Sequence, residues 1–183
     1  MQKREMYNLM YPIGKYEVPD VITKDHLNDW MWTIEEYPTI ILGKLKGLDE
    51  KQLLWKYRPG GWSITQVLHH LADSHMNSLI RFKLALTEIT PTIKPYHEGL
   101  WAELPDYDPK LNHLAFNLLE SVHGKWYKLL KSISEEEFLS KGFYHPERKK
   151  TFSLAEALGL YDWHCRHHRE HISQALIYEG VFE

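Results

Sequence analysis

The chain has 183 residues, the size of a single domain, and this length excludes a large multidomain enzyme. Hydrophobic residues make up 43% and charged residues 26% of the sequence, which excludes a disordered chain and predicts a packed core. The 22 basic residues against 25 acidic ones give a net charge of −3, too weak to draw the protein to nucleic acid or to an anionic membrane. We therefore expect one domain over residues 1–183, with neither nucleic acid nor a membrane as a partner.

The cysteine content and the lack of long apolar stretches indicate where the protein works. Cys165 is the only cysteine, so an intrachain disulfide is impossible and a reducing compartment is favoured. No segment approaches the roughly 18 consecutive apolar residues of a membrane span, and residues 1–17 lack the apolar stretch of a signal peptide. The sequence predicts a soluble, cytoplasmic protein.

The first third of the chain predicts an arm followed by a long helix. Residues 1–22 contain prolines and a glycine without helical periodicity, so we expect an extended arm laid over the body. From Thr23 to about Lys46, apolar residues recur every three or four positions and predict a helix, which Pro38 can bend. A further helical turn is predicted at residues 49–54.

Three more long helices follow, and two of them begin at capping boxes. Ser63 with Gln66, and Ser153 with Glu156, are spaced so that each side chain satisfies a free N–H of the first turn. These boxes predict helices over 64–88 and 154–179, and a third helix runs from Pro109 to near residue 132. The loop over 90–108 is long, and residues 142–150 have room for a small hairpin. The sequence thus predicts an all-α four-helix bundle with an N-terminal arm and long loops between helices.

The last predicted helix carries the densest group of chemically active residues. Within residues 163–171, His164 and His168 lie one turn apart, so both imidazoles can reach one ion at about 2.0–2.1 Å. His167 and His171 share that spacing. The helix over 64–88 can add a third ligand, and periodicity alone does not choose among its histidines, which are His69, His70 and His75. Histidines satisfied by ordinary hydrogen bonds are the alternative interpretation.

These motifs resemble a known family. The stretch GGWSITQVLHHLADSHMNS over residues 60–78, with residues 81–83 and 164–172, is similar to the DinB-like superfamily. The similarity is greatest to its YfiT branch, whose members are named as metal-dependent hydrolases. It extends over nearly the whole chain, including residues 11–14 and 142–146.

The resemblance implies a ligand set and an assembly. By motif, one divalent ion is held inside the bundle by His70 together with the pair His164 and His168, and family members form homodimers. His167 with His171 remains an alternative pair, and His171 stands where many relatives have glutamine. Zinc and nickel are the expected ions because imidazole ligands suit both.

Three protein ligands leave a fourth position open, as in catalytic rather than structural zinc sites, so we expect a metal-dependent hydrolase acting on a small molecule. Cys165 follows His164 where a metalloprotease carries glutamate, so the catalytic base is not assigned. Asp73, Asn77 and Arg81 are candidate catalytic residues: Asp73 to orient a metal ligand or to act as base, and the other two as contacts for the carboxylates of a low-molecular-weight thiol. Superfamily relatives suggest an alternative, a thiol S-transferase in which the metal binds a low-molecular-weight thiol such as bacillithiol and needs no separate base. A non-catalytic metal-binding protein is the third possibility.

Overall fold

The computed structural model describes residues 3–182. Its helices and strands follow in the order α1 Lys3–Met10, α2 Lys24–Leu45, α3 Glu50–Leu53, α4 Ile64–Thr87, α5 Glu98–Trp101, α6 Asn112–Leu130, α7 Glu135–Ser140, β1 Gly142–His145, β2 Lys150–Ser153 and α8 Leu154–Tyr178. A single 3-10 turn, Pro109–Leu111, leads into α6. No helix of the described part is both long and apolar enough to cross a membrane.

The four long helices α2, α4, α6 and α8 form a bundle. Helix α2 packs against α6 and α8, and α4 packs against the same two helices. Apolar side chains at helical spacing fill the space between them because each helix turns one apolar face inward. Residues with no solvent exposure come from all four helices: Ile34, Ile41, Leu71, Phe82, Leu119, Trp126, Leu130, Leu158 and Ile172. The predicted four-helix bundle is confirmed.

The capping boxes fix where the helices begin. The boxes at Ser63 and Ser153 are both formed, and α4 and α8 start at the residues that follow them, as predicted. A further box, Ser134 with Glu137, starts the short helix α7, which was not predicted. Helix α8 ends at Tyr178, and the capping residue that follows, Glu179, has a left-handed backbone with φ of 45°.

The predicted extended arm is wrong over Lys3–Met10, which is helix α1. The helix-breaking residues that suggested an arm all lie after Met10, so they end this helix rather than prevent it. Two carbonyls at the end of α1 are bonded by α8: the Gln174 side chain donates to Leu9 O at 3.1 Å, and His171 Nε2 lies 3.2 Å from Met10 O. Contacts with α8 therefore stabilise a helix that is too short to be stable alone. Residues 1 and 2 of the predicted arm lie outside the described part.

The connector between α7 and α8 folds as the small hairpin allowed for in the sequence. Strands β1 and β2 pair antiparallel, with Phe143 opposite Phe152. The long loop joins this hairpin because Tyr144 N–H donates to Pro91 O at 2.9 Å and Ile93 N–H donates to Tyr144 O at 3.0 Å. The hairpin and the loop together wall the cavity that opens between α4 and α8.

Two helical glycines should respond in opposite ways to alanine. A Cβ at Gly159 in α8 would lie 2.6 Å from the Tyr16 hydroxyl oxygen and 2.8 Å from the buried Trp30 ring, whereas Gly124 in α6 has nothing within 4 Å. We expect Gly159→Ala to lower the free energy of unfolding by about 1–3 kcal/mol through overpacking. Gly124→Ala should raise it by up to about 1 kcal/mol, because alanine favours the helix. Denaturant unfolding of both variants measures this, and equal effects would contradict the close packing of α8 on α2.

Candidate metal centre

Three imidazoles meet where α4 faces α8. His70 comes from α4, and His164 and His168 come from successive turns of α8. Their ligand atoms all lie within 4.8 Å of one another, and Nε2 of His70 is 3.1 Å from Nε2 of His164. His70 and His168 are buried, while His164 is partly exposed. The structure thus brings together the three residues that the family resemblance selected.

The donor set fits a divalent ion of the first transition row. Two nitrogens that bind one tetrahedral ion at about 2.0–2.1 Å lie about 3.3 Å apart, close to the separation of the His70 and His164 nitrogens. Burial lowers the pKa of His70 to about 4 and holds the pKa of His164 and His168 well below the usual value, with the neighbouring histidines adding to the shift. Neutral imidazole is the form that binds metals, so the group is ready for an ion at neutral pH.

The other histidines of α4 point elsewhere. His69 lies against Tyr107, with ring centroids 5.0 Å apart, and is not part of the three-histidine group. His75 has no solvent exposure, and its Nε2 is 3.0 Å from Nδ1 of His164. Adjacent residues of a helix point about 100° apart, so the packing of α4 on α8 selects His70 over His69.

The alternative pair of α8 is held by aromatic rings. The His167 ring stacks on Trp163 with centroids 4.4 Å apart, and the His171 ring stacks on Tyr57 at 3.8 Å. His171 Nδ1 also lies 3.3 Å from Nδ1 of His168. His171 is therefore a direct neighbour of the three-histidine group without being one of its members.

Of the three candidate catalytic residues, one lines the cavity. The Asp73 carboxylate accepts a hydrogen bond from the Tyr107 hydroxyl at 2.7 Å, and the Asn77 amide donates to the backbone oxygen of Asp73 at 2.9 Å. Neither side chain belongs to the cavity lining. Arg81 does line the cavity, and no ion pair is formed by its guanidinium among the described residues.

The cavity has a volume of about 400 Å³, enough for a small-molecule substrate. Its floor is the three-histidine group, and its walls are mainly aromatic: Tyr57, Trp62, Tyr96, Phe143, Phe152, Tyr161 and Trp163. Charged side chains also line the cavity: Arg58, Arg81, Arg148, Glu98 and Glu147. A mainly apolar wall with a few charged groups is the usual form of a small-molecule pocket.

A second buried group, missed by the sequence analysis, lies behind the first. It consists of His75, His123 and Cys165, whose ligand atoms also lie within 4.8 Å of one another. His75 Nδ1 is 2.6 Å from His123 Nε2, and His123 Nδ1 is 2.6 Å from the backbone oxygen of Ile34. The available signal was the position of His123, four residues after the buried Leu119 on the apolar face of α6.

Comparison with known proteins places the chain in a family. The sequence model of the DinB superfamily matches residues 34–172. The chain belongs to the DinB superfamily. The "Putative metal-dependent hydrolase YfiT" of Bacillus subtilis (strain 168) is 46% identical over 91% of this chain and 93% of its own length. A "Putative metal-dependent hydrolase" of Bacillus cereus (strain 03BB102) is 50% identical over 92% of this chain and 95% of its own length.

A solved structure of this DinB branch has the same fold. YfiT from Bacillus subtilis, described as "a probable metal-dependent hydrolase with an unusual four-helix bundle topology", superposes with a TM-score of 0.88 at 45% identity. The match covers 94% of this chain and 98% of that structure. The resemblance predicted from residues 60–78 is confirmed.

Proposed function

We propose that this DinB protein is a metal-dependent hydrolase of a small molecule, in which His70, His164 and His168 hold one zinc or nickel ion. The observation that carries this proposal is the convergence of three neutral imidazoles at the floor of an aromatic cavity. When bound, a divalent ion with three protein ligands supplies Lewis acidity at its open position. The names of the Bacillus relatives support the same class of reaction.

The residues of the chain bind and orient the substrate. Arg81 has no acidic partner among the described residues, so its guanidinium is free to pair with a carboxylate or phosphate of the substrate. Burial raises the pKa of Tyr96, so its hydroxyl keeps its proton and can donate a hydrogen bond into the cavity.

Thiol transfer is the second candidate because no carboxylate belongs to the three-histidine group; the acidic residues of the cavity lining are Glu98 and Glu147. The Asp73 carboxylate is engaged by Tyr107, and the metal-ligating groups found in residues 3–182 contain histidine and cysteine but no carboxylate. A thiol that binds a metal loses its proton outright, so transfer to an electrophile requires no separate base. A protein that binds the ion without turnover is the third candidate.

Parallel assays of the zinc- and nickel-loaded protein separate these functions. We expect hydrolysis of esters or amides without added thiol, and its loss in the His70→Ala variant. Turnover that requires both a thiol and an electrophile, with a thiolate-to-metal absorption band in the cobalt-loaded protein, would replace hydrolysis by thiol transfer. No turnover in either assay, with the ion bound, would favour the binding protein. Homodimer formation and cytoplasmic location stay predictions; sedimentation of the purified protein measures the former.

A further inference from the structure

The α8 histidines of the proposed centre each begin a chain of hydrogen bonds that ends on a backbone carbonyl. The first chain runs from His164 Nδ1 to His75 Nε2 at 3.0 Å, and from His75 Nδ1 to His123 Nε2 at 2.6 Å. It ends where His123 Nδ1 lies 2.6 Å from Ile34 O. The second chain runs from His168 Nδ1 to His171 Nδ1 at 3.3 Å, and from His171 Nε2 to Met10 O at 3.2 Å.

The carbonyl at the end of the first chain fixes every proton along it. A carbonyl oxygen only accepts, so His123 Nδ1 carries the hydrogen, and a neutral ring then has a lone pair on Nε2. His75 must therefore donate from Nδ1, which leaves its Nε2 to accept from Nδ1 of His164. Both His75 and His123 are buried, which favours neutral rings with one hydrogen each. The remaining lone pair of His164 is on Nε2, the atom that faces His70.

The same reasoning applies to the second chain. His171 donates from Nε2 to Met10 O, so its Nδ1 is an acceptor and takes the hydrogen from Nδ1 of His168. The lone pair of His168 is then also on Nε2. Both ligands of the α8 pair thus present the same kind of atom to the centre.

Local helix features free both terminal carbonyls. Ile34 O would normally accept from the N–H four residues later in α2, but that residue is Pro38, which has no N–H. Met10 is the last residue of α1, where helical carbonyls have no partner within the helix. Pro38 in α2 and the end of α1 thus each leave one backbone carbonyl free to accept a hydrogen bond from a histidine.

We infer that His75, His123 and His171 are positioning residues, which hold His164 and His168 as Nδ1–H tautomers with their Nε2 lone pairs directed at the metal centre. The inference rests on the proposed centre but not on the reaction performed there. Partners of this kind fix the orientation of a ligating imidazole and raise its basicity. His75 and His123 lie outside the cavity lining, whereas His171 is part of it.

A second metal ion at His75, His123 and Cys165 is the competing explanation. The 2.6 Å between the two histidine nitrogens is that of a hydrogen bond and is shorter than the about 3.3 Å between two nitrogens on one tetrahedral ion. The geometry favours the hydrogen-bonded chain.

Zinc affinity, measured on the purified full-length protein by competition with a chelator, tests the role of each chain. His75→Leu and His171→Leu should bind zinc about 10- to 100-fold more weakly than the wild type. His75→Gln and His171→Gln should recover most of this loss, because the glutamine oxygen can accept the ligand's Nδ1–H. His69→Gln is the control, since His69 is buried outside both chains. Leucine variants that fold and bind zinc as tightly as the wild type would overturn the inference.

The tautomers themselves are read by nitrogen NMR of histidine-labelled protein, with and without zinc. We expect hydrogens on Nδ1 of His75, His123, His164 and His168, and on Nε2 of His171. A hydrogen on Nε2 of His75 would overturn the first hydrogen-bond chain. Binding of two zinc ions per protein molecule, one of them lost in Cys165→Ser, would show instead that His75, His123 and Cys165 form a second metal site. If the wild type binds neither zinc nor nickel, the proposed centre fails, and with it the role of the chains toward a metal.

Discussion

Replacing His164 with alanine is expected to weaken zinc binding by about 100- to 1,000-fold. Four ligands hold zinc with about 10–16 kcal/mol in small proteins, so each ligand contributes about 2.5–4 kcal/mol if they contribute equally. Each 1.4 kcal/mol is about a factor of ten in affinity. His70→Ala and His168→Ala should have the same effect, because all three nitrogens face one point. Elemental analysis after dialysis against zinc, followed by chelator competition, measures the loss.

The control for these variants is a histidine of the same cavity. His145 lines the cavity but belongs to neither buried histidine group, so His145→Ala should bind zinc as the wild type does. His171→Ala should cause a smaller loss than His164→Ala, since His171 acts through His168. Abolished binding in His167→Ala and His171→Ala, with normal binding in His164→Ala and His168→Ala, would show that the alternative pair holds the ion.

Acid should destabilise the metal-free protein well above the pH at which most carboxylates titrate. Burial lowers the pKa of His123 to about 4 in the folded protein, against about 6.5 in the unfolded chain. A lowered folded pKa means that the stabilisation is present above pH 6.5 and is lost as the pH falls towards 4. Between pH 7 and pH 5, His123 alone should cost about 2 kcal/mol. The pKa of His70 and of His171 is lowered as well, so their contributions have the same sign.

Urea unfolding of the metal-free protein at pH 7 and pH 5 measures this dependence. His123→Gln removes the titrating ring, so its free energy of unfolding should change less between the two pH values than that of the wild type. His97→Gln replaces an exposed histidine and should keep the wild-type dependence. Equal wild-type stability at pH 7 and pH 5 would contradict a neutral, buried His123.

The sequence predicted the helices that local signals specify. The boxes at Ser63 and Ser153 set the first residues of α4 and α8, because capping depends only on neighbours within one turn. Helix α1 was missed because its last carbonyls depend on side chains of α8, about 160 residues later in the chain. Tertiary contacts of this kind leave no local pattern in the sequence.

The site was predicted in part, for a similar physical reason. Spacing brought His164 and His168 onto one face, but His69 and His70 are both buried, so burial could not choose between them. Only the packing of α4 on α8, or resemblance to a family that shares it, selects His70. The orientation of the Asp73 side chain depends on its hydrogen bond with Tyr107 in the long loop. The hydrogen bond of His123 depends on the contact between α6 and Ile34 of α2. These contacts join residues that are far apart in the chain, so local sequence patterns do not predict them.

The bond between His171 and Met10 makes the docking of helix α1 and the occupation of the proposed centre mutually dependent. If α1 detaches, His171 loses the acceptor that fixes its tautomer, and His168 loses its orientation in turn. Linkage is reciprocal, so an ion at the centre must favour the docked state of α1 by the same free energy. Local opening at the amino-terminal end of the chain would then report on metal occupancy some distance away. The fraction of molecules in which α1 is docked should therefore rise when the centre binds an ion.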